Sequence, residues 1–301
     1  MDTDIAVIGS LNRDLTVRTS RHPQPGETVL GTGHYWDGGG KGANQAVAAA
    51  RLGSRVGMIG LVGHDDHGAA LINDLASEGI DTTGIGIAEE TPTGLAVITV
   101  DDDAENTIVV SPGANMGLTP AHIATHLDLM KKAKVMLAQL EVPLETVAAA
   151  AKAAGGVVCL NPAPARSLPD ELLNRVDVLV PNRSELAFLT GSPLSQTIGE
   201  AEQAVSRLHF SGAVVVTLGA DGALVIDGET VNHVEAPHVE AIDPTGAGDA
   251  FCGALAHSLS RGRTILEAAR WAVVAGAVAA TRHGAQTSMP TPADIEALLP
   301  A

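Results

Sequence analysis

The chain has 301 residues, which is enough for one large α/β domain or two small ones. Its formal net charge of −17 argues against nucleic acid or an anionic membrane as a general partner, because both bind basic surfaces. Apolar residues make up 45% of the chain and aromatic residues only 2%, so the core must consist mainly of Ala, Val, Leu and Ile.

Features of a secreted or membrane protein are missing from the sequence. We find no segment like a signal peptide and no apolar run long enough to cross a bilayer. Cys159 and Cys252 lie among apolar residues, as buried thiols in a reducing compartment do. The 11 histidines show no spacing typical of a zinc site. We therefore expect a cytoplasmic protein.

The first predicted element is a buried parallel strand over residues 4–10, with the sequence DIAVIGS. Asn12 and Asp14 follow at its carboxyl end, the edge of an open α/β sheet where ligands bind. Residues 14–35 then alternate apolar and polar side chains around a segment rich in Pro and Gly. This pattern predicts a pair of strands off the main sheet, either a lid or an edge hairpin.

A glycine-rich segment, GGGKGAN at residues 38–44, precedes a predicted helix over residues 45–52. Glycines permit a polar ligand to approach the backbone closely, and Lys41 and Asn44 supply polar groups at the same place. We favour a ligand-binding loop over the alternative, a flexible connection to the helix.

Most of the remaining chain alternates between strands and helices, which predicts a parallel sheet with helices on both faces. Main-sheet strands are predicted at 55–61, 135–140, 157–160, 178–180, 213–218 and 223–227, and helices at 66–78, 119–131, 144–154, 183–190 and 198–210. Residues 94–100 and 106–111 alternate as further strands around an acidic turn. No repeat or linker divides the chain, so we expect one domain over residues 1–301, with lid strands from about 14–35 and 94–111.

The segment DPTGAGDAF at residues 243–251 predicts the start of a helix. Pro244 suits a first helical turn, and Gly246 and Gly248 allow the backbone to turn sharply before it. Free N–H groups at such a start favour an anion, and the helix dipole favours the ionised form of Asp249 in the first turn. An anion hole beside an ionised aspartate suits phosphoryl transfer to a hydroxyl group. A simple helix cap is the alternative.

Two other phosphate-binding motifs are excluded by inspection. A dinucleotide fingerprint requires a third glycine where this chain has Phe251, and a P-loop requires Ser or Thr where Gly42 follows Lys41. Polar residues also follow other predicted strands, namely Glu141, Asn161 and Asn182.

Ten segments together resemble the PfkB carbohydrate kinase family, and its ribokinase group in particular. In family order they are GSLNRDL (9–15), PQPGETV (23–29), GGKGANQAVAAARLG (39–53), PGAN (112–115), QLEVP (139–143), LNPAPAR (160–166), PNRSE (181–185), TLGADG (217–222), DPTGAGDAF (243–251) and TRHGAQTS (281–288). The resemblance extends from residue 5 to about residue 289. It implies a ribokinase-like α/β fold, with a mostly parallel central sheet, helices on both faces and a small β-sheet lid.

The resemblance implies ATP-dependent phosphorylation of D-ribose at the 5-hydroxyl, giving D-ribose 5-phosphate and ADP. A related kinase for 2-deoxyribose, another neutral sugar or a nucleoside is the alternative. Asp249 would be the catalytic base, and the N–H groups of Gly246, Ala247 and Gly248 would form the anion hole. The residues implied to hold the sugar are Asn12, Asp14, Gly40, Lys41, Asn44 and Glu141.

The same resemblance assigns the nucleotide and its ions. Asn182 and Glu185 match an NxxE element that organises Mg²⁺ and phosphates, mostly through water. The remaining residues implied to lie along ATP are Thr217, Gly219, Asp221, Gly222, Gly248 and Val273. A monovalent cation, normally K⁺, would be bound behind the anion hole, largely by backbone carbonyls, at Asp243, Thr245, Ala279, Arg282, Gly284 and Ser288. For Asp243 the alternative is a turn residue bonded to its own backbone.

Residue types narrow the substrate class further. The carboxylates of Asp14 and Glu141 accept hydrogen bonds from sugar hydroxyls but would repel a phosphate already on the sugar, so a neutral polyol is favoured.

Two positions depart from the family. Val273 stands where Asn or His is usual beside the nucleotide base, and the aromatic segment at 35–38 could shape the lid, a dimer contact or a larger substrate pocket.

Two other expectations concern partners and activity. The family implies a homodimer in which the lid strands of two subunits clasp. A catalytically idle sugar or nucleotide sensor is a third functional reading, and the presence of Asp249 and Glu185 argues against it.

Overall fold

A computed structural model describes residues 3–103 and 105–299. In that part of the chain, thirteen strands form two sheets. The strands are β1 (Ile5–Ile8), β2 (Asn12–Thr19), β3 (Gly31–Gly39), β4 (Val56–Gly63), β5 (Asp81–Ala88), β6 (Gly94–Val100), β7 (Asn106–Ser111), β8 (Val135–Ala138), β9 (Val157–Leu160), β10 (Val178–Leu179), β11 (Ala213–Thr217), β12 (Ala223–Asp227) and β13 (Thr230–Val234).

Within the same described ranges, eleven α-helices connect and cover the strands. They are α1 (Lys41–Arg51), α2 (Asp66–Ser77), α3 (Pro120–Ala124), α4 (Leu127–Lys132), α5 (Leu144–Ala153), α6 (Asp170–Leu173), α7 (Arg183–Thr190), α8 (Ile198–Val205), α9 (Ala247–Ser260), α10 (Ile265–Ala280) and α11 (Pro292–Glu296). Short 3₁₀ helices lie at Gly113–Gly117, Gly219–Asp221 and Gln286–Ser288. None of the helices described is long and apolar enough to cross a membrane.

The larger sheet has the strand order β13-β12-β11-β10-β9-β8-β1-β4-β5. Its strands from β11 to β5 run parallel, and β12 and β13 are antiparallel at one edge. Each of the four residues of β1 is buried, as expected of a strand covered on both faces. The predicted fold class, a mostly parallel sheet with helices on both faces, is confirmed.

Helices α1, α9 and α10 pack together on one face of this sheet. Because side chains alternate across a strand, Ile5 and Val7 of β1 join that helical core, whereas Ala6 and Ile8 face α4 and α5 on the other side. A Cβ added to Gly253 of α9 would lie 2.5 Å from the Cβ of α1 Ala48, so the two helices approach at a distance that requires glycine. This close approach brings the first turns of α1 and α9 together.

The smaller sheet has the order β3-β2-β6-β7 and lies off the main sheet, as predicted. Strands β6 and β7 have the predicted bounds, and the first pair spans Asn12–Thr19 and Gly31–Gly39 rather than 14–35. The second strand of that pair therefore includes the aromatic segment, and it ends at the glycine-rich loop before α1.

Several predicted boundaries are wrong for identifiable reasons. Helix α1 begins at Lys41 and not at residue 45. Gly40, with a φ of +87°, precedes its first turn, and Gly42 lies within that turn because a side chain there would clash with the backbone of Gly9. The predicted helix 119–131 is two short helices, and the one predicted to residue 210 ends at Val205. Edge strands β5 and β13 were not predicted, since glycines interrupt the first and polar residues dominate the second. Helix α10 was not predicted either.

Candidate active site

The candidate site lies at the carboxyl ends of neighbouring parallel strands. Asn12, Glu141 and Asn161 follow β1, β8 and β9, which are adjacent in the sheet, and Asn182 follows β10. Helix α9 begins beside this edge, so its first turn meets the polar strand ends, as in other open α/β sheets. Residues more than 200 positions apart are thus brought together.

Asp249 lies in the first turn of α9 and is 7% exposed. Gly246 caps the helix with a φ of +77°, a left-handed conformation suited to glycine, and a Cβ at Gly248 would meet no atom within 4 Å. The N–H of Ala247 donates to the carbonyl of Pro244 at 3.1 Å. Open space therefore faces the helix start, where first-turn amides lack intrahelical acceptors, although the Ala247 amide is already engaged.

Both oxygens of the Asp249 carboxylate accept hydrogen bonds from α1. Asn44 Nδ2 donates to Oδ2 at 2.9 Å, and Gln45 Nε2 donates to Oδ1 at 3.0 Å. Sequence analysis identified Asn44 but missed Gln45, which is fully buried. Its position directly after Asn44 and the glycine-rich segment was the available signal, and only the packing of α1 on α9 shows its partner.

The opposite side of the site is a cluster of polar groups around Glu141. This carboxylate accepts from Ser10 Oγ at 2.5 Å and from the Lys41 N–H at 3.2 Å. The negative charge of Asp249, and to a lesser degree that of Glu141, raises the pKa of Lys41 despite its burial. Lys41 is therefore a cation within electrostatic reach of two carboxylates.

Asn12 is held in place by a residue to which sequence analysis gave no role. Asn115 Nδ2 donates to Asn12 Oδ1 at 2.8 Å, while the Asn115 amide also bonds both the N–H and the carbonyl of Leu11, at 2.9 and 3.0 Å. Asn115 ends the PGAN segment, which was noted only for its resemblance. Because Oδ1 of Asn12 already accepts a hydrogen bond from Asn115, the NH₂ group of Asn12 remains available to donate to a ligand.

Asp14 is a half-buried residue, and one oxygen of its carboxylate is buried without a donor. Burial raises its pKa to about 7, and the nearby charges of Asp37 and Glu141 add to the effect. Asp37 lies directly opposite on β3, and burial also raises its pKa. Oδ1 of Asp14 is buried without a hydrogen-bond partner, as is Oδ1 of Asn44. Two buried acceptor atoms thus await hydroxyl or other donors at this side of the site.

Three cavities meet around Pro244. A polar cavity of about 200 Å³ lies at the start of α9, lined by residues that include Lys41, Asn182, Glu185, Thr217, Gly248 and Asp249. A mainly apolar cleft of about 320 Å³ includes Thr217, Gly219, Gly222, Gly248, Phe251 and Val273. The third, about 330 Å³, lies between the small sheet and the 242–245 and 283–285 segments and includes Asp14, Tyr35, Asp37, Asp243 and Thr245. A larger groove of about 930 Å³, between β13 and α10, contains none of the predicted site residues.

Asn182 and Glu185 form a capping box at the start of α7. Asn182 Oδ1 accepts from the Glu185 N–H at 2.8 Å, and the Asn182 N–H and Nδ2 donate to the Glu185 carboxylate at 2.8 and 2.9 Å. Burial raises the pKa of Glu185, which also borders the polar cavity. A helix-capping role is therefore present, and the same carboxylate remains able to attract a cation.

Asp221 has a different environment from the other predicted nucleotide residues. Its carboxylate pairs with Arg183 at 2.6 Å, and its side chain is 61% exposed. The apolar cleft is lined by Gly219, Ala220 and Gly222 instead. The segment at residues 217–222 thus lines the cleft chiefly with its glycines.

The residues predicted to bind a monovalent cation come from two segments that lie side by side. The Asp243 carboxylate accepts from the N–H groups of Thr245 and Gly284 at 2.9 and 3.0 Å, and although burial acts in the opposite direction, these bonds lower its pKa. The Ala279 carbonyl accepts from the Arg282 N–H at 3.1 Å. The Arg282 side chain pairs with Asp294, and Ser288 Oγ donates to a neighbouring carbonyl. Asp243 therefore bonds to the backbone of its own turn, which was the alternative to cation binding.

Over residues 3–103 and 105–299, no group of three or more His, Cys, Asp or Glu side chains is arranged to hold a metal ion. Both cysteines are free and buried, as predicted, and burial raises the pKa of Cys159 to about 12.

Comparison with known proteins places this site in a family. The family model for pfkB family carbohydrate kinases matches residues 2–292. Ribokinase of Haemophilus influenzae is 40% identical over 296 residues, 97% of this chain and 96% of the relative. Deoxyribokinase of Salmonella typhimurium is also 40% identical, over 294 residues and 96% of each chain.

Solved structures give the same result. Ribokinase from Thermotoga maritima superposes with a TM-score of 0.89 at 35% identity, and Arabidopsis thaliana ribokinase complexed with ribose and ATP superposes with 0.90 at 33% identity. Each comparison covers 99% of both chains. The fold and the site therefore define a sugar kinase. The chain belongs to the PfkB family of carbohydrate kinases.

Proposed function

We propose that this kinase transfers the γ-phosphoryl group of ATP to the 5-hydroxyl of D-ribose, giving D-ribose 5-phosphate and ADP. The observation that carries the proposal is the buried Asp249 carboxylate at an open helix start, between a polar cluster on one side and a cleft on the other. Relatives named ribokinase, and one solved with ribose and ATP, support the choice of substrates.

Asp249 acts as the base in this scheme. It accepts the proton of the 5-hydroxyl as that oxygen bonds to the γ-phosphorus and the bond to the ADP oxygen breaks. Because the transition state of phosphoryl transfer is loose, the carboxylate mainly orients the hydroxyl, and electrostatic stabilisation supplies most of the rate. The amides of Gly246 and Gly248, with the Lys41 ammonium, stabilise the charge that develops on the phosphoryl oxygens. The Ala247 amide joins them when the phosphate replaces the Pro244 carbonyl as its acceptor.

The sugar is held on the other side of Asp249. The unpaired oxygens of Asp14 and Asn44 accept from ribose hydroxyls, and Asn12 donates through its free NH₂ group. Gly40, Lys41 and Glu141 complete the set. Carboxylates at two positions disfavour a sugar that already carries a phosphate, which supports a neutral polyol as the substrate.

The nucleotide base occupies the apolar cleft that Val273 lines, and the phosphates extend past Thr217, Gly219, Gly222 and Gly248 toward Asp249. Asn182 and Glu185 would hold Mg²⁺, since a buried carboxylate with a raised pKa is stabilised by a nearby cation. Mg²⁺ supplies charge neutralisation of the phosphates. K⁺ is the monovalent activator, and its proposed ligands are carbonyl and other oxygens of Asp243, Thr245, Ala279, Arg282, Gly284 and Ser288.

A second substrate, 2-deoxyribose, is favoured by a specific observation: a relative as similar as the ribokinases is named deoxyribokinase. A coupled assay of ADP release over ribose, 2-deoxyribose, adenosine and fructose 6-phosphate, with Mg²⁺ and K⁺ present, separates the candidates. We expect the highest kcat/KM for ribose and no turnover of fructose 6-phosphate. Higher kcat/KM for deoxyribose would transfer the proposal to that sugar, and absence of ribose turnover would contradict the primary assignment.

We further propose a single kinase domain over residues 1–301 whose small sheet is a lid and joins two subunits in a cytoplasmic homodimer. Exposed apolar side chains are concentrated on β6 and β7 of that sheet: Val97, Ile108, Val109 and Val110. A reducing compartment agrees with the two free buried thiols.

The dimer is tested by placing a charge on the small sheet. Val109, 71% exposed on β7, is the most exposed of the apolar residues there, and Val109→Asp is expected to convert the dimer to a monomer in sedimentation velocity. Val231→Asp, at an exposed valine of the large sheet, is the matched control and should sediment like the wild type. A monomeric wild type at tens of micromolar, or a dimeric Val109→Asp, would contradict the proposed interface.

A further inference from the structure

A row of buried side-chain amides extends from the candidate base into the interior of the protein. Gln45 Nε2 donates to Asp249 Oδ1 at 3.0 Å, and Gln139 Nε2 donates to Gln45 Oε1 at 2.5 Å. Gln45 and Gln139 are both 0% exposed, and neither lines any of the three cavities around Pro244. They reach the site only through Asp249.

The carboxylate determines how both amides are oriented. An ionised carboxylate only accepts hydrogen bonds, so Gln45 must present its NH₂ group to Asp249. The Gln45 oxygen then points to Gln139, which must present its own NH₂ group in turn. Gln45 Nε2 also lies 3.3 Å from Asn161 Oδ1, a second acceptor that favours the same orientation. Rotation of either amide by 180° would place oxygen against oxygen.

This arrangement leaves one buried acceptor without a partner. Gln139 Oε1 has no hydrogen bond and lies against the α-carbon of Gly9, where any larger residue would clash. An unpaired buried carbonyl costs about 1–3 kcal/mol, so two apolar residues could fill these positions without such a penalty. The occurrence of glutamine at both positions is accounted for by the carboxylate whose position they fix.

We infer that Gln45 is a positioning residue for Asp249 and that Gln139 acts through Gln45. The inference deepens the proposed function and rests on Asp249 being the base. Asn44 holds Oδ2 and Gln45 holds Oδ1, so the plane of the carboxylate is fixed from both sides before the sugar arrives. A small displacement of a reacting group can cost about 10²-fold in rate, which gives the scale of the expected effect.

Replacing either glutamine removes no charge from the surroundings of Asp249. The charged and titratable groups there are Lys41 on α1, Asp14 on β2, Glu185 on α7 and Cys252 on α9 itself. A change in kcat in a glutamine variant is therefore attributed to the lost donor and not to a change in charge.

The test combines kinetics with a double-mutant cycle. Gln45→Met, which keeps the side-chain length but has no amide, is expected to lower kcat about 10–100-fold at saturating sugar with less than a threefold change in sugar KM. Gln139→Met should show the same changes at smaller size. The double variant should be no slower than Gln45→Met alone, since the second residue acts through the first.

Ser54→Ala is the matched control. Ser54 Oγ and His257 Nδ1 form a buried hydrogen bond at 2.8 Å that also ties the end of α1 to α9, but it does not contact Asp249. This variant should lower the Tm and leave kcat within twofold of the wild type. The assay uses the sugar that the wild type phosphorylates fastest, so failure with ribose alone does not affect the result. An unchanged kcat in Gln45→Met, or fully additive losses in the double variant, would overturn the inference.

Discussion

Replacing Asp249 by asparagine is expected to lower kcat by about 10²–10⁴-fold, the usual contribution of a positioned general base. Asparagine has almost the same size but cannot take the proton of the attacking hydroxyl. It also offers one acceptor atom where Asn44 and Gln45 now meet two, so one of these amides must turn its oxygen toward the new NH₂ group or lose its hydrogen bond. Steady-state kinetics over a range of sugar concentrations measure the effect.

Sugar affinity should change far less in this variant, because Asp249 contributes to the transition state more than to the ground state. Calorimetric titration with ribose is expected to give a dissociation constant within about tenfold of the wild type. Equal kcat values for the two proteins would remove Asp249 from the role of base. A loss of binding as large as the loss of kcat would make it a sugar-holding residue instead.

Asp14→Asn is expected to weaken ribose binding about 10–100-fold, since hydrogen bonds to a charged acceptor contribute about 1.5–3 kcal/mol each. The pKa of Asp14, raised to about 7 by burial, adds a pH dependence. Hydroxyl donors favour the ionised carboxylate, so ribose should bind more tightly at pH 8 than at pH 6 in the wild type. Affinity in the variant should be nearly independent of pH over the same interval.

The same substitution is expected to change stability in the opposite direction from binding. Between the ordinary pKa of 3.8 and about 7, the folded protein binds a proton at Asp14 that the unfolded chain does not. The free energy of unfolding therefore falls as the pH rises through that interval, and above pH 7 the full penalty, on the order of 2–4 kcal/mol, is present. Asparagine carries no charge to bury, so Asp14→Asn should be more stable than the wild type at pH 8 and should differ little at pH 4.

Urea denaturation at several pH values measures this difference, with the exposed Asp103→Asn as the control for a general loss of negative charge. The control should follow the wild type in both ribose affinity and stability. A less stable Asp14→Asn at pH 8, together with unchanged ribose affinity, would show that Asp14 is a structural residue. The two effects of Asp14→Asn, weaker ribose binding and higher stability, have opposite signs because the carboxylate that binds the sugar is buried before the sugar is present.

Local sequence patterns predicted those parts of the site that depend on neighbouring residues. The Gly246 turn, the first-turn position of Asp249 and the strand end before Glu141 follow from glycine placement and apolar runs, and the structure contains all three. The glycine-rich loop was predicted in the same way, although α1 begins within it. The alternation of apolar and polar residues also predicted the small sheet, because this two-residue period can be recognised even in short strands.

Contacts between distant segments could not be predicted in this way. Gln45, Gln139 and Asn115 are ordinary polar residues in the sequence, and their roles depend on which strand ends and helices become neighbours across about 100 or 200 positions. Asp221 shows the converse, since the family resemblance implied a place along the nucleotide while its carboxylate pairs with Arg183. Burial and partner geometry decide such cases, and neither is visible in a single sequence.

The most direct measurement is a crystal structure of the protein with a non-hydrolysable ATP analogue and ribose. The account predicts that the γ-phosphate lies within hydrogen-bond distance of the backbone amides at residues 246–249. It also predicts that the 5-hydroxyl of ribose lies between that phosphate and the Asp249 carboxylate. A γ-phosphate bound elsewhere, or a ribose whose 5-hydroxyl points away from Asp249, would contradict it.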